Sequence, residues 1–250
     1  MTIKNITDKL NRIIIVTGHY GSGKTEFSVS LAMKCVEQMQ FAQAQSIAQA
    51  QTQFALCDLD VVNPYFRSRE MRKTLEAAGI GVYGSVFKEE ITAELPALSA
   101  SIRAPLENTA CKVIIDTGGN DTGALVLNQF LKYFTDKEIS VLAVINTNRP
   151  DTSDINGALE HIIAIEDITK LKITGIVNNT HMLRETKPDD IIKGEMICKE
   201  ICEKTGKFLL CNCYPEKIVD PEKVIDPKEL TKLENLMPLG LYMRPTWLDR

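Results

Sequence analysis

The chain has 250 residues, 44% hydrophobic and 25% charged, with 29 Lys+Arg against 33 Asp+Glu and a net charge of −4. This composition excludes wholesale disorder and supplies enough apolar side chains for a core that needs no staples. It also weighs against nucleic-acid binding through global charge, which calls for a basic chain.

The opening MTIKNITDKLNR is polar and has no apolar core of the signal-peptide kind. The longest wholly apolar runs, such as Ile13–Val16 and Val141–Ile145, fall far short of the ~20 residues of a transmembrane helix. A cytoplasmic location is expected. The seven cysteines are then expected mostly as free thiols.

The first strand candidate, Arg12–Thr17, runs into Gly18-His19-Tyr20-Gly21-Ser22-Gly23-Lys24-Thr25, and a helical pattern over Lys24–Met39 follows. The octet fits G-x-x-x-x-G-K-[ST] in the required context of strand, loop and helix. Its glycines let successive N–H groups face one point, and the helix N-terminus adds its dipole, so together they bind an anion. Gly18, Tyr20, Gly21, Ser22, Gly23, Lys24, Thr25 and Glu26 are the expected nucleotide contacts. Lys24 reaches the β- and γ-phosphates, and Thr25 offers its hydroxyl to Mg²⁺.

Ala42–Gln53, AQAQSIAQAQTQ, either prolongs the helix or forms a surface insertion without chemistry. The second strand candidate, Phe54–Leu59, ends in Asp58-Leu59-Asp60. Carboxylates at the carboxyl edge of a parallel sheet face the ligand, and these two suit a water-positioning or Mg²⁺-holding role. A plain turn, supported by Asn63-Pro64, fits them too. A helix over Phe66–Ala78 and a strand over Gly81–Val86 come next.

The strand Lys112–Asp116 leads into Asp116-Thr117-Gly118-Gly119, a Walker B-like arrangement. Asp116 is expected near Mg²⁺, and the Gly119 N–H is placed to sense a γ-phosphate, as in switch loops. A helix over Gly123–Phe134 and a strand over Ile139–Asn146 follow. Asn148-Arg149-Pro150-Asp151 comes close to the guanine-reading Asn-Lys-x-Asp, with Arg for Lys; alternatively Asp151 or Ser153 caps the helix Ser153–Ile168. The remaining elements are a strand Lys172–Asn178, a helix Asp189–Lys204 and a strand Lys207–Cys213. Cys198 and Cys202 share a helix face, and Cys211 and Cys213 share a strand face. A metal site from these four stands beside the plainer reading of small core residues. The repeat PEKIVD–PEKVID (Pro215–Asp226) reads as an extended segment. Pro238, Gly240 and Pro245 break the end of the chain, which does not form a basic amphipathic membrane helix.

Continuous Ile/Val/Leu strands alternating with helices indicate one α/β domain over residues 1–250, its strands parallel and buried on both faces. The three motifs in this order resemble the MinD/ParA/CobQ branch of the SIMIBI-class P-loop NTPases. The stretches GHYGSGKTEF, DLDVVNPYFRSRE and IIDTGGNDTGA resemble a bacterial ATP-binding family within it, over roughly Ile13 to Pro215. The resemblance implies a doubly wound, mostly parallel sheet of seven or eight strands flanked by helices, with ATP rather than GTP and Mg²⁺ as ligands. By position it gives Asp60 the hydrolytic water, Asp116 the switch role, Asn179 a hydrogen bond to adenine, and the loop Cys213–Glu216, with Pro215, the surroundings of the base. Thr25, Asp60 and Asp116 are the Mg²⁺ set, and Lys24, Asp58 and Asp60 the catalytic set. One departure stands out: His19 occupies the place of a lysine that reaches across a homodimer in many members. Arg67 or Arg69 offers a cation instead, or is ordinary surface.

The expected activity is a slow ATPase switch acting on a protein partner or as a homodimer. The rivals are an ATP-dependent small-molecule kinase, ligase or synthetase, and a nucleotide sensor that does not hydrolyse.

Overall fold

A computed structural model describes residues 4–45, 53–60, 71–84, 94–119, 125–134, 139–216, 230 and 232–243. Eight strands lie in one sheet: β1 (Ile13–Gly18), β2 (Gln53–Leu59), β3 (Ile80–Gly84), β4 (Cys111–Thr117), β5 (Ile139–Ile145), β6 (Gly175–Asn178), β7 (Phe208–Pro215) and β8 (Leu236–Leu239). Their order is β3-β2-β4-β1-β5-β6-β7-β8, and every neighbouring pair is parallel. Among the described residues the α-helices are α1 (Lys4–Thr7), α2 (Lys24–Gln45), α3 (Arg72–Ala77), α4 (Glu94–Glu107), α5 (Ile155–Thr169) and α6 (Pro188–Thr205).

The parallel order follows from the strand sequences. IIIVTG and ISVLAVI are buried at every position, as strands covered on both faces must be. Alternate side chains divide between two apolar layers. Ile13, Ile15, Val113, Ile115, Val141 and Ala143 enter one; Ile14, Val16, Ile114, Leu142 and Val144 enter the other with Phe27 and Leu31 of α2. The chain builds β2, β3 and β4 on one side of β1 and then crosses to β5 on the other, so the strand order reverses at β1, and ligands of open α/β sheets bind at the carboxyl end of such a switch point.

Several elements differ from the sequence expectation. Of the helix expected over Gly123–Phe134, the stretch Val126–Tyr133 is a 3₁₀ helix, with Val126, Leu127 and Phe130 buried and Asn128 Nδ2 donating to the Ile168 carbonyl at 3.1 Å, while Gly123 and Ala124 lie outside the described residues. α4 was not anticipated, because its sequence ELPALSASIRAPLE carries two prolines; Pro96 falls in the first turn and Pro105 in the last, where few helical hydrogen bonds are lost. β8 was also missed. Its Pro238 pairs with Tyr214 at the sheet edge, where a missing N–H is tolerated. α2 runs to Gln45, so at least the start of the Ala/Gln tract prolongs the helix.

Neither Asp151 nor Ser153 caps α5. Asp154 does, its Oδ1 accepting from the Gly157 N–H at 2.9 Å. Asp154→Ala is expected to lower stability by about 1 kcal/mol in urea unfolding; an unchanged midpoint and slope would refute the cap. Residues 61–70, with Asn63-Pro64, Arg67 and Arg69, lie outside the described residues, as do Thr122, most of the PEKIVD–PEKVID repeat and Trp247.

Candidate functional site

The loop after β1 has a glycine-dependent curl whose shape suits an anion. Gly21 and Gly23 take φ of +75° and +83°, which side-chain-bearing residues rarely adopt. A Cβ on Gly23 would also collide with the Asn179 carboxamide, so both backbone and space require glycine there. The loop closes on itself through Ser22 N–H donating to the His19 carbonyl at 3.1 Å, and α2 begins with Phe27 N–H donating to the Gly23 carbonyl at 3.0 Å. Lys24 is buried under the loop, its Nζ donating to the His19 carbonyl at 3.1 Å. Burial lowers its pKa, against the pull of Asp116 and then Asp60.

Strand register brings the acidic residues together. Asp58 of β2 lies level with Asp116 of β4, which lies level with Val16 of β1. Asp116 is 0% exposed. Its Oδ1 accepts from Ser28 Oγ at 3.2 Å, and its Oδ2 is buried with no hydrogen-bond partner among the described residues. Burial, with repulsion from Asp58, pushes its pKa up to about 8, although Lys24 and the Thr25 hydroxyl pull it down. Asp60 is buried beside it, and its N–H donates to Asp58 Oδ1 at 3.0 Å. Gly119 lies against this group: a Cβ there would sit 2.6 Å from Lys24 Nζ and 3.0 Å from the Tyr20 nitrogen.

Thr25, Asp58, Asp60 and Asp116 form an all-oxygen set that suits Mg²⁺, an ion that keeps water and phosphate oxygens as ligands. The orphaned Asp116 Oδ2 and the orphaned, buried Ser22 Oγ are groups that a hydrated ion and a phosphate would satisfy. Among the described residues no three His, Cys, Asp or Glu side chains gather closely enough to hold a metal ion alone. The same holds for the cysteines. Cys198 packs in one core layer while Cys211 and Cys213 pack in the other, on the opposite face of the sheet. Burial pushes the thiols of Cys198, Cys213 and Cys202 up, the last to about 11.

Other expected contacts take positions of their own. Tyr20 projects from the loop, 63% exposed. Asn179 is buried, and its Nδ2 donates to the Ser22 carbonyl at 2.7 Å, so this side chain holds the loop. Pro215 ends β7 at the carboxyl edge, level with Leu239. Glu26 does not point into the cradle: its carboxylate accepts from the Tyr242 and Met243 N–H groups at 2.7 and 3.0 Å. Glu26→Ala is expected to speed amide exchange at Tyr242 and Met243 by about tenfold or more, since each hydrogen bond to a charged acceptor is lost; unchanged exchange there would refute the contact.

Three features of the site went unread in the sequence. Ser28, one helical turn after Lys24, was legible from its i, i+4 spacing. His19 Nε2 lies 2.8 Å from Asp151 Oδ2, and its ring meets His161 edge-on at 5.3 Å between centroids. Arg149 Nε donates to the Gly21 carbonyl at 3.1 Å. The last two join segments some 130 residues apart and have no local signal.

No family model matches the chain, and no curated protein matches it in sequence. Solved structures share its fold. Cell division protein FtsY from Thermotoga maritima aligns over 87% of this chain and 66% of its own, with 21% identity and a TM-score of 0.52. Signal recognition particle 54 kDa protein from Aeropyrum pernix K1, in complex with GDP, aligns over 84% of this chain and 43% of its own, with 18% identity and a TM-score of 0.52. Chloroplast FtsY from Physcomitrella patens aligns over 97% and 72%, with 13% identity and a TM-score of 0.52. This chain thus spans less than two thirds of the first two. The shared architecture is an α/β P-loop NTPase-like fold, one mostly parallel sheet flanked by helices. Among the described residues no helix is long and apolar enough to cross a membrane.

Proposed function

We propose that this chain is a single P-loop domain that binds a Mg²⁺–nucleoside triphosphate and hydrolyses it slowly, as a switch acting on a protein partner or a second copy. The observation that carries this reading is Lys24 and Asp116 buried together beneath a glycine loop, the carboxylate with an oxygen left without a partner. Loop N–H groups and Lys24 stabilise charge on the phosphates, Thr25 and Asp116 hold the ion directly and through water, and Asp60, with Asp58, aligns the attacking water. Gly119, resting on Lys24 and Tyr20, must shift to admit a γ-phosphate, which gives the switch its moving part.

ATP is the proposed nucleotide, in keeping with the MinD/ParA/CobQ-like motifs. The His19–Asp151 pair favours it, since an aspartate held by a histidine does not offer both oxygens to guanine. GTP is the second reading, favoured by Asn148-Arg149-Pro150-Asp151 and by the GDP bound to the Aeropyrum pernix neighbour. His19, its Nε2 held 2.8 Å from Asp151 Oδ2, does not reach out as a trans-acting lysine would, so any dimer is proposed to form without that contact. The proposed location is the cytoplasm.

Phosphate release with Mg²⁺ and ATP or GTP, from the wild type and Asp60→Ala, tests the reading. Slow ATP turnover, lost in the variant with binding retained, is the expected result. Tight binding with no release at any protein concentration would replace the switch with an acceptor-requiring kinase, ligase or synthetase, or with a sensor. Faster GTP than ATP turnover would reverse the choice of base.

A further inference from the structure

We propose that Arg149 forms a wall of the nucleoside half of the site, laying its guanidinium plane against the base; this rests on the nucleotide reading above. A loop that binds an anion turns its N–H groups inward and its carbonyls outward. Two successive outward carbonyls are taken, that of Gly21 by Arg149 Nε at 3.1 Å and that of Ser22 by Asn179 Nδ2 at 2.7 Å. The two side chains therefore stand next to each other on the outer wall of the cradle.

The direction in which a bound nucleotide leaves the cradle follows from charge. Asp58, Asp60 and Asp116 all lie on the β2–β4 side of β1, which assigns that side to Mg²⁺ and the terminal phosphate. The nucleoside extends the other way, over the ends of β5 and β6, where Arg149 and Asn179 stand. Arg149 is exposed, and among the described residues the one hydrogen bond of its side chain is that to Gly21, with no carboxylate paired to it. A guanidinium in this state keeps a free, weakly hydrated plane for stacking on a heterocycle.

The turn that carries it is fixed from several directions. Arg149 N–H and Thr152 Oγ1 both donate to the Asn146 carbonyl, at 3.1 and 2.7 Å, and Asn148 N–H donates to Asn146 Oδ1 at 3.0 Å. Asp151, two residues on, is tied to His19 of the loop. Stacking reads no base edge, so Arg149 contributes to affinity without choosing between adenine and guanine.

Binding of ATP, GTP and inorganic tripolyphosphate, each with Mg²⁺ and measured by displacement of labelled nucleotide, separates the roles in the wild type, Arg149→Ala and Arg149→Lys. Arg149→Ala is expected to weaken both nucleotides about tenfold and tripolyphosphate less than twofold, and Arg149→Lys to recover little, because an ammonium offers no plane. An equal loss for tripolyphosphate would make Arg149 a loop or phosphate residue and overturn the proposal. So would undiminished nucleotide binding in both variants. A wild type that binds none of the three would instead overturn the nucleotide reading itself, and this inference with it.

Discussion

Lys24→Ala is expected to lower nucleotide turnover by about a hundredfold to a thousandfold and to abolish measurable triphosphate binding at micromolar protein. Lys24 is the one cation beneath the loop among the described residues, and its Nζ is held by the His19 carbonyl, so it meets a bound phosphate without rearranging. Burial lowers its pKa, yet Asp116 and Asp60 oppose that trend and a bound phosphate would oppose it further. Alanine leaves a phosphate facing three buried carboxyl groups with only loop N–H groups to balance them. Calorimetric titration with ATP beside a phosphate-release assay checks this. Wild-type affinity and rate in the variant would remove the site assignment altogether.

Asp116→Asn is expected to act in opposite directions on stability and function. Burial and then Asp58 raise the Asp116 carboxyl from its unfolded value to about 8, and that sign shows that the two outweigh the attraction of Lys24. The folded protein therefore holds one more proton than the unfolded chain between about pH 4 and pH 8. Stability is highest below the unfolded value and falls as the pH climbs toward 8. Asparagine does not titrate, so without nucleotide the variant is expected to be more stable than the wild type at pH 8, by about 1–3 kcal/mol. At pH 5, where both side chains are neutral, the gap should close. For a chain of this length that corresponds to several degrees in Tm, at roughly 2–4 °C per kcal/mol. Mg²⁺-dependent turnover should fall at the same time. Thermal melts across pH 5–8 are the check; a variant less stable than the wild type at pH 8 would show that the carboxylate is satisfied in the free protein.

Both predictions start from one octet, and that octet was legible in the sequence. Gly18–Thr25 specifies its own loop because strand, glycine spacing, lysine and helix start are contiguous, and local backbone geometry does the rest. The continuous apolar runs at Ile13–Val16 and Val141–Ile145 likewise specified buried parallel strands, because a strand covered on both faces has no polar alternate positions. The parallel α/β sheet follows from these features. Where the expectation failed, the cause was local disguise. α4 hides behind Pro96 and Pro105, β8 contains Pro238 at an edge, and Val126–Tyr133 has apolar residues that suit either an α-helix or a 3₁₀ helix.

Side-chain direction and long-range pairing were decided only by the tertiary structure. Glu26 follows Thr25 immediately, yet helical geometry turns it away from the cradle toward Tyr242 and Met243. The cysteine spacing Cys198–Cys202 and Cys211–Cys213 suggests a cluster, but the sheet lies between the two pairs. Asp151 pairs with His19, and Arg149 with Gly21, because β5 lies next to β1, a neighbour relation set by strand order across more than a hundred residues. The sequence alone determined that this protein carries a glycine loop between a strand and a helix of a parallel sheet, since those properties are written in contiguous residues. Which groups surround that loop, which carboxylate is left without a partner and which cation stands against the loop are consequences of register and crossover, and only the packed sheet contains them.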